Sequence, residues 1–333
     1  MRCPSMRPLI GVVLLASCQQ TPVVRQYAEG SPWVGFQPLT AMAEGPTYHL
    51  LQGYDPIWLQ HVRAGIEQAR SYWGTYGPTH VWVAGREAGS QVSAAAKHAF
   101  LKEYCAWRTQ TSTRTVDECW PHAERQFFDV IERDEPEAYL SGIRDTDPHK
   151  AELIFINVHK WYFARDAIPD PVLRGIHEYT HVFQQSVGAI PTWMSEGGAV
   201  FAEAWRPSLE GQRSPEIVMR RVMQHARQIA APDLSIADME EIETAPSEVA
   251  KYHRELAYDA GSWAIAFMIH SSPTKSVATL RDVFYPLVRK IGWESALCEY
   301  VGMESKAAFY AAFDAFMDQP IPEQLSLLRA LRP

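Results

Sequence analysis

Short apolar runs alternate with stretches of helical spacing over the first half of the chain, and from residue 170 onward the helical spacing prevails. Tyr48–Leu51, His80–Val83 and Glu152–Val158 read as strands, the last (E-L-I-F-I-N-V) the clearest. Between the first two, Asp55-Pro56 opens a helix that runs to about Trp73, with Ile57, Leu59, Val62, Ile66 and Ala69 as its apolar stripe. Val92–Trp107 and Val116–Ile131 also carry helical spacing, while Tyr139–Lys150 reads as a loop. Asp170 and Pro171 suit the N-cap and first position of another helix. Val172, Leu173, Ile176, Val182 and Phe183 give that helix a face to bury, and Gly188 and Pro191 close it. Thr192 is placed to cap the next one. Helical segments follow near Pro215–Ile229, Glu248–Ile269, Val277–Ile291, Glu294–Val301 and Lys306–Met317. Ala257–Ile269 is apolar on nearly all sides, which predicts a buried helix, and Phe284, Tyr285, Phe309, Phe313 and Phe316 are expected in the core. Strands early and helices late predict an α+β fold.

Composition narrows the class. At 47% hydrophobic residues the chain can bury a large core and fits one two-lobed domain or two intimately packed ones. Its formal charge is −8, from 39 acidic against 31 basic residues; without Arg2 and Arg7 the balance is 39 against 29, or −10. A net acidic chain without basic blocks argues against a nucleic-acid partner. Arg2 and Arg7 precede an apolar run, Leu9–Ala16, that is too short to span a bilayer and suits a signal peptide over residues 1–17. Leu15-Ala16-Ser17-Cys18 resembles the bacterial lipobox. That likeness implies a lipid on Cys18 as the membrane anchor and, with Gln19 rather than aspartate next, the periplasmic side of the outer membrane. An ordinary secretory signal, and a secreted protein, is the alternative. Pro22, Pro32, Pro38 and Pro46, with Gly30, Gly35 and Gly45, break every periodic run across residues 18–46, as a flexible tether does. The fold is expected over residues 47–333. Export to an oxidising compartment permits a Cys105–Cys119 disulfide, with Cys298 left as a thiol more suited to burial than to reaction.

The chemistry converges on His177-Glu178-Tyr179-Thr180-His181, which reads H-E-x-x-H. On a helix, two histidines four apart share a face, so both imidazoles reach one metal ion while Glu178 lies beside it. Two neutral nitrogen ligands and a base to take a proton from metal-bound water are what a zinc hydrolase needs. A catalytic site wants a third ligand. Glu196, in the first turn of the helix that Thr192 opens, can face back across the connection at Gly188–Pro191 and complete a His2Glu set.

H-E-x-x-H followed by Trp193-x-x-Glu196-Gly197 resembles the gluzincin metallopeptidases, the clan of thermolysin and aminopeptidase N. The likeness covers roughly residues 150–320. It implies a two-lobed zincin-like fold, with lobes at 47–187 and a helical 188–333, one Zn2+, and a peptide or protein substrate. It also implies that Glu203, seven residues after Glu196, orients a histidine ligand; a solvated helix glutamate is the other reading. Tyr258, in Tyr258-Asp259-Ala260-Gly261 some sixty residues past Glu196, is implied to stabilise the tetrahedral intermediate. Tyr252 and His253 are nearby substitutes for that role, and core packing is the plainer reading of Tyr258. In zincins the strand upstream of the metal helix is the sheet edge that borders the cleft, which assigns Glu152–Val158 that place, against an interior strand. Residues 86–148 are expected as an insertion on one side of the cleft. The gap from His181 to Glu196 is shorter than in aminopeptidase N, and no G-x-M-E-N stretch is present. Aminopeptidase specificity is therefore not implied, and the likeness belongs to the wider peptidase MA-like group. The expected protein is a lipid-anchored zinc metallopeptidase of the cell envelope, with Glu178 as base and then acid. Its rivals are a catalytically silent zinc-binding lipoprotein that holds a partner, and a scaffold in which the motif is coincidental. The intact Glu178 argues against the first, and the context of Glu196 against the second.

Overall fold

The computed structural model describes residues 38–333 except 88, 111, 144–148, 162–167 and 229–232. The expected signal peptide, Cys18 and most of the expected tether lie outside the described residues. The rest is an α+β chain. Four strands form one sheet in the order Thr47–Leu50, Thr79–Ala84, Lys150–Ile156, Glu137–Ile143. The first three are parallel, and the last is antiparallel to its neighbour.

Three expectations are corrected. Glu152–Val158 is not the sheet edge: Lys150–Ile156 is paired on both sides and buried at every position, as a run apolar on both faces requires. The edges are Thr47–Leu50 and Glu137–Ile143, the second drawn in part from the stretch expected to be a loop. In Glu137–Ile143 the alternation is weak, and its ladder to Lys150–Ile156 is what makes it a strand. The tether also ends sooner than Pro46. Leu39 is 5% exposed, its N–H bonds to the Gln185 carbonyl, and Thr40–Ala41 pairs with Tyr76–Gly77.

The helix Ala94–Thr109 covers the sheet face that carries His80, Trp82 and Glu152, and Val116–Glu124 packs on that helix. Cys105 and Cys119 join them in a disulfide, with Cα atoms 5.7 Å apart; the Cys298 thiol is half-buried. Residues 86–148 thus supply this cover and the edge strand.

The long helix Pro56–Trp73 begins as its sequence predicts. Asp55 accepts from the Ile57 N–H at 2.9 Å, and Pro56 takes the first position, where a missing N–H costs nothing. Beyond residue 190 the chain is helical: Thr192–Leu209, Pro215–Ala226, Gly261–Ser271, Tyr285–Ile291, Trp293–Val301, Lys306–Met317 and Ile321–Ala330. Gly261–Ser271 is buried over most of its length, and its Trp263 and Phe267 meet Phe309, Phe313 and Phe316. The expected single helix Glu248–Ile269 is broken into Ser247–Ala250, a wide π-helical turn Arg254–Ala260, and Gly261–Ser271. Among the described residues no helix is long and apolar enough to cross a membrane.

Candidate metal centre

The motif lies on the helix Asp170–Gln185. Pro169, not Asp170, holds the cap position, and no side chain caps the helix; Asp170 and Pro171 are its first two residues. Burial rather than capping fixes this helix in place. Nearly every residue from Pro171 to Gln184 is buried. The two residues inside the motif anchor one side. Tyr179 donates its O–H to the Gly74 carbonyl and accepts from the Tyr76 N–H, both at 3.2 Å. Thr180 Oγ1 accepts from Trp73 Nε1 at 3.1 Å. Gly65 and Gly175 let this helix cross Pro56–Trp73 closely. A Cβ on Gly65 would lie 1.9 Å from the Val172 carbonyl oxygen, and one on Gly175 2.4 Å from that of Val62. With that side locked, His177, Glu178 and His181 serve the site.

Glu196 comes from Thr192–Leu209. Thr192 does not cap this helix. Pro191 precedes it, and Thr192 Oγ1 accepts from the Ile242 N–H at 3.1 Å instead. Glu196 therefore falls in the second turn, not the first, and still faces the motif. Its Oε2 is 3.3 Å from His177 Nε2 and 3.4 Å from His181 Nε2. All three donor atoms lie within 4.8 Å of one another, so the group can hold a metal ion. Ligand atoms about 2.0–2.1 Å from a tetrahedral ion stand roughly 3.3–3.4 Å apart, so the two nitrogen–oxygen separations suit a tetrahedrally held metal ion.

The partners of the far ring nitrogens test that fit. Gln184 donates its amide N–H to the Ser195 carbonyl at 2.9 Å, which turns its Oε1 toward His181 Nδ1, 2.7 Å away. An acceptor there puts the proton on Nδ1 and leaves the Nε2 lone pair facing the Glu196 carboxylate. Two acceptors turned on each other want a cation between them. On the other histidine, Nδ1 is 2.9 Å from Glu203 Oε1, a charge contact whose angle falls short of a good hydrogen bond. Glu203 also lies 3.5 Å from Arg174 Nη1. Glu203 is buried against His177, not on a solvated face.

Protons compete with a metal ion for the same place. Burial would lower both imidazoles, but Glu196 and Glu203 overturn this at His177, which rises to about 10, and Glu196 raises His181. Burial would raise Glu196, yet the two histidines hold it well below the usual carboxylate range. Glu178 is pushed up by burial, against the opposing pull of His177 and His181. A buried carboxylate with a raised pKa, beside these three donors, is a candidate for proton transfer.

Tyr258 sits in the π-helical turn, its ring stacked on His177 at 5.8 Å between centroids and its hydroxyl in reach of Glu196. Arg254 lies over the Tyr258 ring, and His253 meets it edge-on. Tyr252 and Tyr258 both pack against the cluster of Met239, Val249 and Leu256. Of the three expected candidates, Tyr258 is the one stacked on His177. Gly197 and Gly261 make this possible, since a Cβ on Gly197 would lie 2.2 Å from the Gly261 backbone. Gln184, Ser195 and Arg174 were not foreseen as parts of the site. The only signal for Gln184 is a polar residue three positions after His181 on a face that must be buried.

Comparison with protein-family models, with curated proteins and with solved structures found no match.

Proposed function

We propose that this chain is a zinc-dependent metallopeptidase of two-lobed, zincin-like architecture, held in the cell envelope by a lipid on Cys18. The observation that carries the reading is the approach of Glu196 to both Nε2 atoms, with Glu178 buried beside them. His177, His181 and Glu196 would hold the ion, and Glu203 and Gln184 orient the two rings. When bound, zinc supplies a Lewis acid that polarises a carbonyl and lowers the pKa of water. Glu178 takes the proton from the attacking water and delivers it to the leaving nitrogen. Tyr258 donates its O–H to the oxygen on which charge develops. The sheet edge Glu137–Ile143, on which no other described strand pairs, offers backbone groups to an extended peptide.

The test compares the unaltered chain with Glu178→Gln for zinc content and for cleavage of a peptide library. Both are expected to hold one zinc, and only the unaltered chain to cut. Zinc in both with no cleavage by either would hand the site to the rival reading, a silent binding module. No zinc in either would sink the metal centre itself.

A further inference from the structure

The helix Thr192–Leu209, which brings Glu196 to the two histidines, has no side-chain cap, so its first turn is held from outside. Glu240 holds it by two routes. Its carbonyl accepts the Thr192 N–H at 2.7 Å, one of the donors that a helix start leaves unpaired. Its carboxylate acts through a relay. Trp193 donates its Nε1–H to the Tyr310 hydroxyl at 3.1 Å, and Tyr310 donates its O–H to Glu240 Oε1 at 2.7 Å. Burial, and then Glu240, hold the Tyr310 phenol above its usual range, so the proton stays on Tyr310 and the second bond runs toward the carboxylate. Lys306 Nζ, 3.0 Å from Glu240 Oε2, holds the far end. Trp193 is fully buried and Tyr310 nearly so, which keeps water from competing for the bond between them. Trp193 stands three residues before Glu196, so the two are neighbours on the helix surface. The Trp193 backbone is gripped as well: a Cβ on Gly261 would lie 2.5 Å from its carbonyl oxygen.

We infer that Glu240 and Tyr310 are positioning residues for the third metal-binding side chain: through Trp193 and the Thr192 N–H they set where Glu196 meets His177 and His181. The inference rests on the metal centre proposed above and extends it to two residues that touch neither the ion nor a substrate. Glu196 Oε2 lies 3.3 and 3.4 Å from the two Nε2 atoms, and a small turn of its helix changes both separations at once. Groups that fix the direction of a ligand are worth about 10–100-fold in metal affinity, and about tenfold is expected one step further out.

The test uses the full chain and two metals. Tyr310→Phe, which keeps the ring and loses the O–H, and Glu240→Ala are each expected to lower zinc affinity about tenfold in a chelator competition. With Co2+ in place of zinc, both variants should also change the visible absorption, because a displaced Glu196 alters the coordination geometry. Glu240→Gln is expected to restore affinity and spectrum, since its amide oxygen still accepts from Tyr310. The urea midpoint of each metal-free chain separates positioning from stability. A lower midpoint in Tyr310→Phe and Glu240→Ala, with affinity and Co2+ spectrum unmoved, would show a merely structural contact and overturn the inference. In that case the metal centre and the peptidase reading stand. If the unaltered chain takes up neither zinc nor Co2+, the metal centre falls, and the inference falls with it.

Discussion

The protein brings together two pairs of histidines, one half-buried and one buried, each within reach of a glutamate, and among the described residues only the buried pair belongs to a group that could hold a metal. On the covered sheet face, His49 Nδ1 is 2.7 Å from Glu103 and His49 Nε2 is 2.8 Å from His80 Nδ1. That chain closes with both rings neutral: His80 Nδ1–H donates to His49, and His49 Nδ1–H donates to Glu103. The rings are then stacked, His49 on Trp82 at 3.7 Å and His80 on Trp107 at 4.3 Å. At the candidate centre the partners run the other way. His181 Nδ1–H donates to Gln184 Oε1, and the lone pair on Nε2 meets the Glu196 carboxylate. Histidines near acids are therefore poor evidence of a metal site. Two rings turned on one carboxylate, each with its far nitrogen held by another residue, are better evidence.

The largest expected effect breaks the comparison outright. His177→Ala and His181→Ala should each abolish stoichiometric zinc binding, measured as metal content after dialysis. His49→Ala and His80→Ala should keep one zinc per chain while losing stability. Zinc retained in both of the first variants, or lost in the second two, would mean that the wrong pair has been assigned.

A smaller effect sharpens the comparison, because it tests the lone-pair argument and not the ligand. Gln184→Ala removes the acceptor that fixes the His181 ring, and zinc affinity should fall about 10–100-fold in a chelator competition. Unchanged affinity would show that the ring is oriented by something else.

This contrast also explains what was legible in the sequence. The motif could be read because its geometry is local: four residues of helix place two rings on one face. Glu196 and Glu203 were reachable through the spacing of a known pattern, and the glycines after Glu196 and Tyr258 turn out to be the contact that brings those two helices together. Gln184 was not reachable, since its role depends on the Ser195 carbonyl of another helix. The strands show the same divide. E-L-I-F-I-N-V is apolar on both faces, which is the pattern of an interior strand, and the resemblance to a family edge overrode it wrongly. Glu137–Ile143 is a strand through its partner, and a partner is not written in a local pattern. Leu39 likewise belongs to the fold through Gln185, far along the chain, so the proline-rich stretch around it read as tether.

The smallest expected effect distinguishes the pairs by pH. Burial, then the neighbouring His49 and Lys150, lowers His80 to about 4, so the folded protein keeps it neutral. An unfolded histidine has a pKa near 6.5, so the unfolded chain binds this proton first as pH falls. The contribution of His80 is thus fully present above about pH 6.5 and is lost progressively down to about pH 4. His80 is only partly buried, so solvent screening cuts the loss to about 1–2 kcal/mol. His80→Phe keeps an aromatic ring against Trp107 and cannot take the proton. Urea midpoints of both chains, measured with zinc bound from pH 7 to pH 4, should show the unaltered chain falling more steeply by that amount. Parallel slopes would mean that His80 is solvated enough to titrate normally, and that the stacked pair is held by its rings rather than by its hydrogen bonds.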